Sequence, residues 1–387
     1  MSKGSMGRKK VIFSVLICLL IFSILTPQVM ANSIGNKDKK VVGYYTSWSA
    51  YSGFTPDKID ATKLTHINYG FADISDDLKV ILRDLNVDPY NIQKLKELKW
   101  INPELKILIS VGGWTWSGKF SDAALTEDSR TRFANNCVEF IKTYGFDGVD
   151  LDWEYPVGGG LSTNKSRQED KQNFTLLLKA IREKLDIQGR KDGKYYELSI
   201  AGGAGKEYIN SVELWNIHNY IDFANIMTYD MHGVWDKYTD FNSPLYGNAN
   251  SPNYVKSSVD SAVRAWINGG FPKEKIVMGV PFFGKQYNMV TSSYNGLHQM
   301  YQGGSSISYA NIVSKYLNKP GVIRYYSEES MVPWLYDGVT FISYEDEESI
   351  YHKAQYIKST GLGGAMIWDL SSDPNKVLLD KLNKELK

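Results

Sequence analysis

The chain has 387 residues, with 44 basic against 43 acidic side chains and two cysteines. A near-neutral chain of this kind carries no electrostatic footprint for nucleic acid, and its length is enough to bury a large core. The 26 tyrosines and 10 tryptophans fit either well-packed cores or flat faces on which sugar rings lie, and composition does not choose between them.

Residues 1–31 have the layout of a secretory leader. Lys3, Arg8, Lys9 and Lys10 precede an apolar run from Val11 to Leu25, Pro27 breaks it, and Val29-Met30-Ala31 has the small-residue pattern of a cleavage site. An uncleaved anchor is the alternative, but the run is shorter than the ~20 residues that span a bilayer. Cleavage removes four basic and no acidic residues, leaving 40 against 43, and it removes Cys18. Cys137 lies on an apolar helical stripe and is expected to be a buried, inert thiol. The expected product is secreted, extracellular, free of the membrane and monomeric.

From residue 32 onward, β-like runs alternate with amphipathic helices. The first three strands are expected at Val41–Thr46, Thr65–Phe71 and Lys106–Val111. Phe133, Cys137, Phe140, Ile141 and Tyr144 then recur at helical spacing, and Gly145 is a good stop. The fourth strand, Gly148–Glu154, is the most informative. Asp150, Asp152 and Glu154 alternate with Val149, Leu151 and Trp153, so the acids share one face of the strand.

Three acids so placed could be a solvated face, ligands for a hard cation, or a catalytic cluster. The preceding helix argues for a strand covered on both sides, which favours catalysis. Like charges this close cannot all ionise cheaply, so at least one carboxyl should stay protonated near neutrality and serve as a general acid. Asp147, just before the strand and of opposite parity, reads as structural.

A helix with Phe174, Leu177, Leu178, Ile181 and Leu185 on one stripe follows. Strands are then expected at Glu197–Ala201, Phe223–Thr228, Ile276–Val280 and Gly364–Trp368, which brings the total to eight. Eight strands alternating with helices close a (β/α)8 TIM barrel of the α/β class. An open doubly wound sheet would show a glycine-rich phosphate fingerprint after an early strand, and none is present. His232 has no partner in a metal-ligand pattern and is expected to be a surface histidine, so neither a metal nor a cofactor is expected.

The alternation fails once, from Tyr287 to Tyr344. The interval contains a helical stretch near Tyr309–Leu317 and ends in strand-like Val339–Ser343. It is too long for a structureless loop and is expected to be a small α+β domain, residues 287–344, inserted after strand seven. The barrel then comprises residues 32–286 and 345–387.

The chain resembles the chitinases of glycoside hydrolase family 18, in the subgroup with a chitinase insertion domain. The signature D-G-x-D-x-D-x-E stands at Asp147–Glu154. Three further motifs follow the family's order: Ser110-Val111-Gly112-Gly113-Trp114, Met227-Thr228-Tyr229-Asp230 and Gly364-Ala365-Met366-Ile367-Trp368-Asp369. The resemblance implies that Glu154 protonates the glycosidic oxygen. It implies that Asp152 shares a proton with its neighbours and orients the substrate's acetamido group, and that Asp150 is held by Tyr44 and Ser110. Tyr229 would donate to the acetamido carbonyl, with Asp230 contacting sugar and Met227 lining the pocket. Trp368 would form the floor beneath the sugar, and Trp114 and Trp235 would stack on the leaving side, although Trp235 also fits a plain hydrophobic lid. Gly113 and Tyr155 complete the implied binding set.

The implied partners are chitin and N-acetylglucosamine oligomers. The implied reaction retains configuration through attack by the substrate's own acetamido oxygen, for which the family is a recognised exception to the two-carboxylate rule. A glucosaminidase acting on N-glycans or peptidoglycan, and a chitin-binding lectin, are the alternatives. Lectin relatives typically lose the terminal acid, which is present here.

Overall fold

The computed structural model describes residues 1, 39–253 and 257–387. Apart from Met1, the candidate leader lies outside the described residues. Besides a two-residue strand at Val80–Ile81, seven barrel strands come first: β1 (Lys40–Thr46), β2 (His66–Ile74), β3 (Lys106–Gly112), β4 (Gly148–Asp152), β5 (Glu197–Gly203), β6 (Phe223–Met227) and β7 (Ile276–Pro281). An insertion supplies β8 (Phe283–Tyr287), β9 (Gly304–Ser308), β10 (Ile323–Ser327), β11 (Val332–Tyr336) and β12 (Phe341–Ser343), after which β13 is Gly364–Trp368. Strands β1–β7 and β13 are parallel in the order β1-β13-β7-β6-β5-β4-β3-β2, and β2 pairs back onto β1. This is a closed (β/α)8 barrel.

The eight barrel strands match the sequence reading, with ends shifted by no more than three residues. One shift matters: β4 stops at Asp152, so Glu154 stands just beyond the strand rather than as its last residue. Helices α1 (Glu127–Tyr144) and α2 (Asp170–Asp192) cover this part of the barrel. The start of α1 is fixed by reciprocal capping between Thr126 and Ser129, and Gly145 ends it in the left-handed conformation at φ 80°. Trp153 faces this helical layer, 2% exposed, with its ring 5.3 Å from Phe120 on the short helix before α1 and 5.4 Å from Phe174 of α2. Strand β4 is therefore apolar toward the helices and acidic toward the barrel axis. Cys137 is buried on α1 as a free thiol.

The insertion is an antiparallel sheet in the order β9-β8-β12-β11-β10, with one short helix at Tyr309–Lys315. It takes in Phe283–Gln286, which the sequence reading left in the barrel. The alternation there is interrupted by Gly284, Lys285 and Gln286, so the strand looks like the tail of β7. The sheet's own core contains Tyr287, Trp334 and Phe341 together with Phe241 from the β6–β7 connection.

Where the chain leaves the insertion, helix α3 (Glu347–Thr360) begins at an Asp346 cap. It carries Lys353, fully buried, whose Nζ donates to Glu345, to Ser243 O at 2.8 Å and to Ser243 Oγ at 2.8 Å. A buried pair of this kind adds little net stability, but breaking it strands the surviving charge. Lys353→Met is expected to cost about 3–5 kcal/mol in guanidinium unfolding because Glu345 loses its counter-charge. Lys353→Met combined with Glu345→Leu should recover most of that loss. Equal stability of the single and double variants would show that the pair is not coupled.

Candidate active site

The barrel axis holds a carboxylate made tolerable by its neighbours. In register, Ser110 of β3 and Ser199 of β5 lie directly beside Asp150. Ser110 Oγ donates to Oδ2 at 2.7 Å and Ser199 Oγ to Oδ1 at 2.6 Å. Tyr44 Oη reaches Oδ2 at 2.7 Å from β1, and Asn225 Nδ2 reaches Oδ1 at 3.3 Å from β6. Burial pushes the Asp150 carboxyl up, and these four donors act against that push. Tyr44 and Ser110 are the partners implied by the resemblance. Ser199 and Asn225 were not picked out in sequence, although each is a polar residue at inward parity in an apolar strand.

Asp152 lies one step nearer the mouth and is held well above the usual carboxylate range, first by burial and then by the charges of Glu154 and Asp150. Its Oδ1 is buried without a hydrogen-bond partner. Glu154 is raised from its ordinary 4.5 to about 7, chiefly by burial, with Tyr155 opposing and the Asp230 charge adding. The Glu154 backbone is clamped on both sides: its N–H donates to Ser117 Oγ at 2.9 Å, and its carbonyl accepts from Asn164 Nδ2 at 3.0 Å. Gly112 (φ 102°) completes the fit, because a Cβ there would lie 2.4 Å from Asp152 O. Asp147 receives the Ile107 N–H at 2.8 Å and pairs with Lys99, a structural post at the strand's entry.

Two cavities meet at Glu154. One, of about 470 Å³, is walled by Tyr44, Trp48, Phe71, Trp116, Asp152 and Trp368. The other, of about 650 Å³, is walled by Tyr155, Glu207, Tyr208 and Trp235. Trp114, Glu154, Met227, Tyr229 and Asp230 line both. The Trp368 ring lies 5.5 Å from Tyr44 and 5.9 Å from Phe71, forming an aromatic floor in the first cavity. Gly113 lines neither cavity; it is buried behind the Phe71 ring, where a Cβ would meet ring carbon at 2.9 Å.

At the end of β6, Tyr229 lies under the junction with its hydroxyl 3.8 Å from Met366 Sδ. Asp230 pairs with Lys285 Nζ at 2.7 Å, and the same ammonium lies 5.3 Å from the Trp235 ring. Lys285 belongs to the insertion strand β8, and nothing local in the sequence marks it. Trp48 was also missed, as an ordinary aromatic after a strand. His232 corrects the sequence reading: it is 2% exposed rather than on the surface, and its Nδ1 lies 3.0 Å from Asp236 Oδ2. The chain turns back there, bringing Asp236 and Asp240 around the ring. Among the described residues no group of acidic, histidine or cysteine side chains could hold a metal.

A raised carboxylic acid just beyond a barrel strand, between two aromatic-walled cavities, is the arrangement a glycoside hydrolase needs. Residues 40–373 match the glycosyl hydrolases family 18, and the chain belongs to that family. It is 42% identical to chitinase A1 of Niallia circulans, covering 95% of this chain and 62% of that relative's length. Chitinase ChiA74 from Bacillus thuringiensis superposes with a TM-score of 0.86 at 36% identity, covering 90% of this chain and 70% of that one. A family 18 N-acetylglucosaminidase from Paenibacillus barengoltzii superposes at 0.82 with 39% identity, covering 90% of this chain and all (100%) of that one.

The raised acid has a stability consequence. Glu154 titrates higher in the folded protein than unfolded, so its contribution is fully present below about pH 4.5 and is lost as pH rises through about 7. Glu154→Gln should therefore match the parent's stability near pH 4. Near pH 8.5 it should gain on the order of 2 kcal/mol, allowing for the titration shared with Asp152. Unfolding curves at the two pH values test this; a pH-independent difference would mean that the acid is not strained by burial.

Proposed function

We propose that the protein is a chitinase that cleaves β-1,4 bonds between N-acetylglucosamine units with retention of configuration. The observation that carries this reading is the position of Glu154 at the junction of two cavities, so that a polymer can lie across the acid with sugars on either side. An acid titrating near 7 holds its proton at mildly acidic to neutral pH, as a general acid must. The leader at residues 1–31, with export of the enzyme, suits a substrate too large to enter a cell.

In the proposed reaction Glu154 gives its proton to the glycosidic oxygen as the bond from that oxygen to the anomeric carbon breaks. The acetamido oxygen of the same sugar bonds to the anomeric carbon, giving an oxazolinium ion. Asp152, which lines the first cavity and has an oxygen without a partner, accepts the acetamido N–H, and Tyr229 Oη donates to the acetamido oxygen, a preorganised stabilisation. Water then loses a proton to Glu154 and adds at the anomeric carbon, reopening the ring. Two inversions restore the β-anomer.

Glu154→Gln should lower the rate by at least about 10²–10⁴-fold while oligomers still bind, since the amide keeps the shape but supplies no proton. A variant keeping a tenth of the parent rate would remove Glu154 from the role of acid.

The likeness to an N-acetylglucosaminidase supports a second reading, release of single sugars from a chain end. A time course on a labelled chitin hexamer, followed by NMR, separates the two. Internal cleavage with β-anomeric initial products supports the chitinase reading; monosaccharide alone from the outset supports the second. Initial α-anomer defeats the acetamido mechanism in either case.

A further inference from the structure

The connection after β6 carries Asp230 at its start and Asn242 further on. Asn242 is 1% exposed, and each of its polar groups is engaged. Its N–H donates to Ser343 Oγ at 2.8 Å, and its Nδ2 to Phe283 O at 3.4 Å. Its Oδ1 accepts from the Asp230 N–H at 3.1 Å, and its carbonyl from the Met231 N–H at 3.1 Å. Asp230 itself has φ 55°, a left-handed conformation that aspartate tolerates better than most non-glycine residues and that the Asn242 acceptor holds at the Asp230 N–H.

The insertion holds the same aspartate from a second side. Lys285 of β8 and Ser343 of β12 are register partners, and side chains directly opposite in an antiparallel pair project from one face. Ser343 grips Asn242, and Lys285 grips the Asp230 carboxylate at 2.7 Å. A one-residue slip of this pairing would turn both side chains away. Asp230 is thus fixed at its backbone through Asn242 and at its carboxylate through Lys285.

We propose that Asn242, held by Ser343, is a positioning residue that fixes the Asp230 carboxylate beside Glu154, so that the register of the insertion sheet sets the charge environment of the acid. The inference rests on Glu154 being the acid. The charged and titratable groups around Glu154 are Asp150 and Asp152 of β4, Tyr155 after it, and Glu207 and Tyr208 beyond β5. Tyr229 and Asp230 face it from β6, and Lys285 from β8 neutralises Asp230 in part. Among these, Asp230 lies at the end of a connection whose geometry depends on Asn242. Misplacing its negative charge weakens a contribution that keeps the Glu154 proton bound, so the acid ionises at lower pH.

The test is the basic limb of the kcat/KM profile against pH on a soluble chitin oligomer. Asp230→Asn should move this limb to lower pH. Asn242→Ala should move it the same way, by about half a unit, the range expected for displacing one neighbouring charge, itself half exposed, near a buried acid. The double variant should match Asp230→Asn alone, because Asn242 acts through Asp230. Ser343→Ala should give a smaller shift in the same direction, and Ser343→Thr, which keeps the acceptor, should restore the parent limb.

An Asn242→Ala limb that does not move, or shifts that add in the double variant, would overturn the proposal. If Asn242→Ala fails to fold, the serine pair decides: an unshifted limb in Ser343→Ala overturns it. A dead Glu154→Gln beside unshifted positioning variants refutes this inference alone, whereas an active Glu154→Gln refutes the reading beneath it.

Discussion

Burying three carboxyl groups on one strand face is the constraint around which the rest of this protein is arranged. A buried, unpaired carboxylate is very costly, and neither β4 nor its sequence neighbours supply donors for Asp150. The donors come from around the ring: Tyr44 from β1, Ser110 from β3, Ser199 from β5 and Asn225 from β6. Ser110 and Ser199 stand on the strands flanking β4, in register with Asp150, while Tyr44 and Asn225 reach it only because the sheet curves into a closed barrel. Closure therefore does more than bury apolar surface; it makes the acidic strand chemically tolerable.

The solution becomes less complete toward the mouth. Asp150 has four donors, Asp152 has an oxygen without a partner, and Glu154 stands beyond the strand with its backbone clamped on both sides and its carboxylate opposed by Tyr155 alone. Burial raises all three carboxyls, Asp152 well above the usual carboxylate range and Glu154 to about 7, and four donors oppose it at Asp150. A fully satisfied cluster would be more stable and chemically inert. In the proposed reaction the unsatisfied upper end is where substrate groups complete the hydrogen bonding, so stability is given up where that reaction needs it.

The insertion is more than an added wall. Its first strand brings Lys285 against Asp230 and Trp235, and its last brings Ser343 against Asn242. Its core also takes Phe241 from the β6–β7 connection, so barrel loop and insertion sheet are packed as one body. This is why the boundary at Tyr287 expected from sequence lies inside a strand: β8 follows β7 almost without a break, and it serves both places, Lys285 toward the groove and Tyr287 in the insertion's own core.

Strong periodic signals carried the architecture. Apolar runs at period two, helices striped at 3.6, and the acids of β4 at inward parity fix local structure through neighbouring backbone geometry alone. They were enough for the eight strands, the insertion and the acidic ladder; the family resemblance came from the four motifs standing in order. The sequence could not supply what depends on residues distant in chain and adjacent in space. Ser199 and Asn225 look like isolated polar residues in apolar strands, Lys285 like any lysine, and His232 like a surface histidine until the chain folds back on Asp236 and Asp240. Which acids stay protonated was decided there too, because proton affinity depends on burial and on charges that only the closed barrel and its insertion bring within a few ångströms.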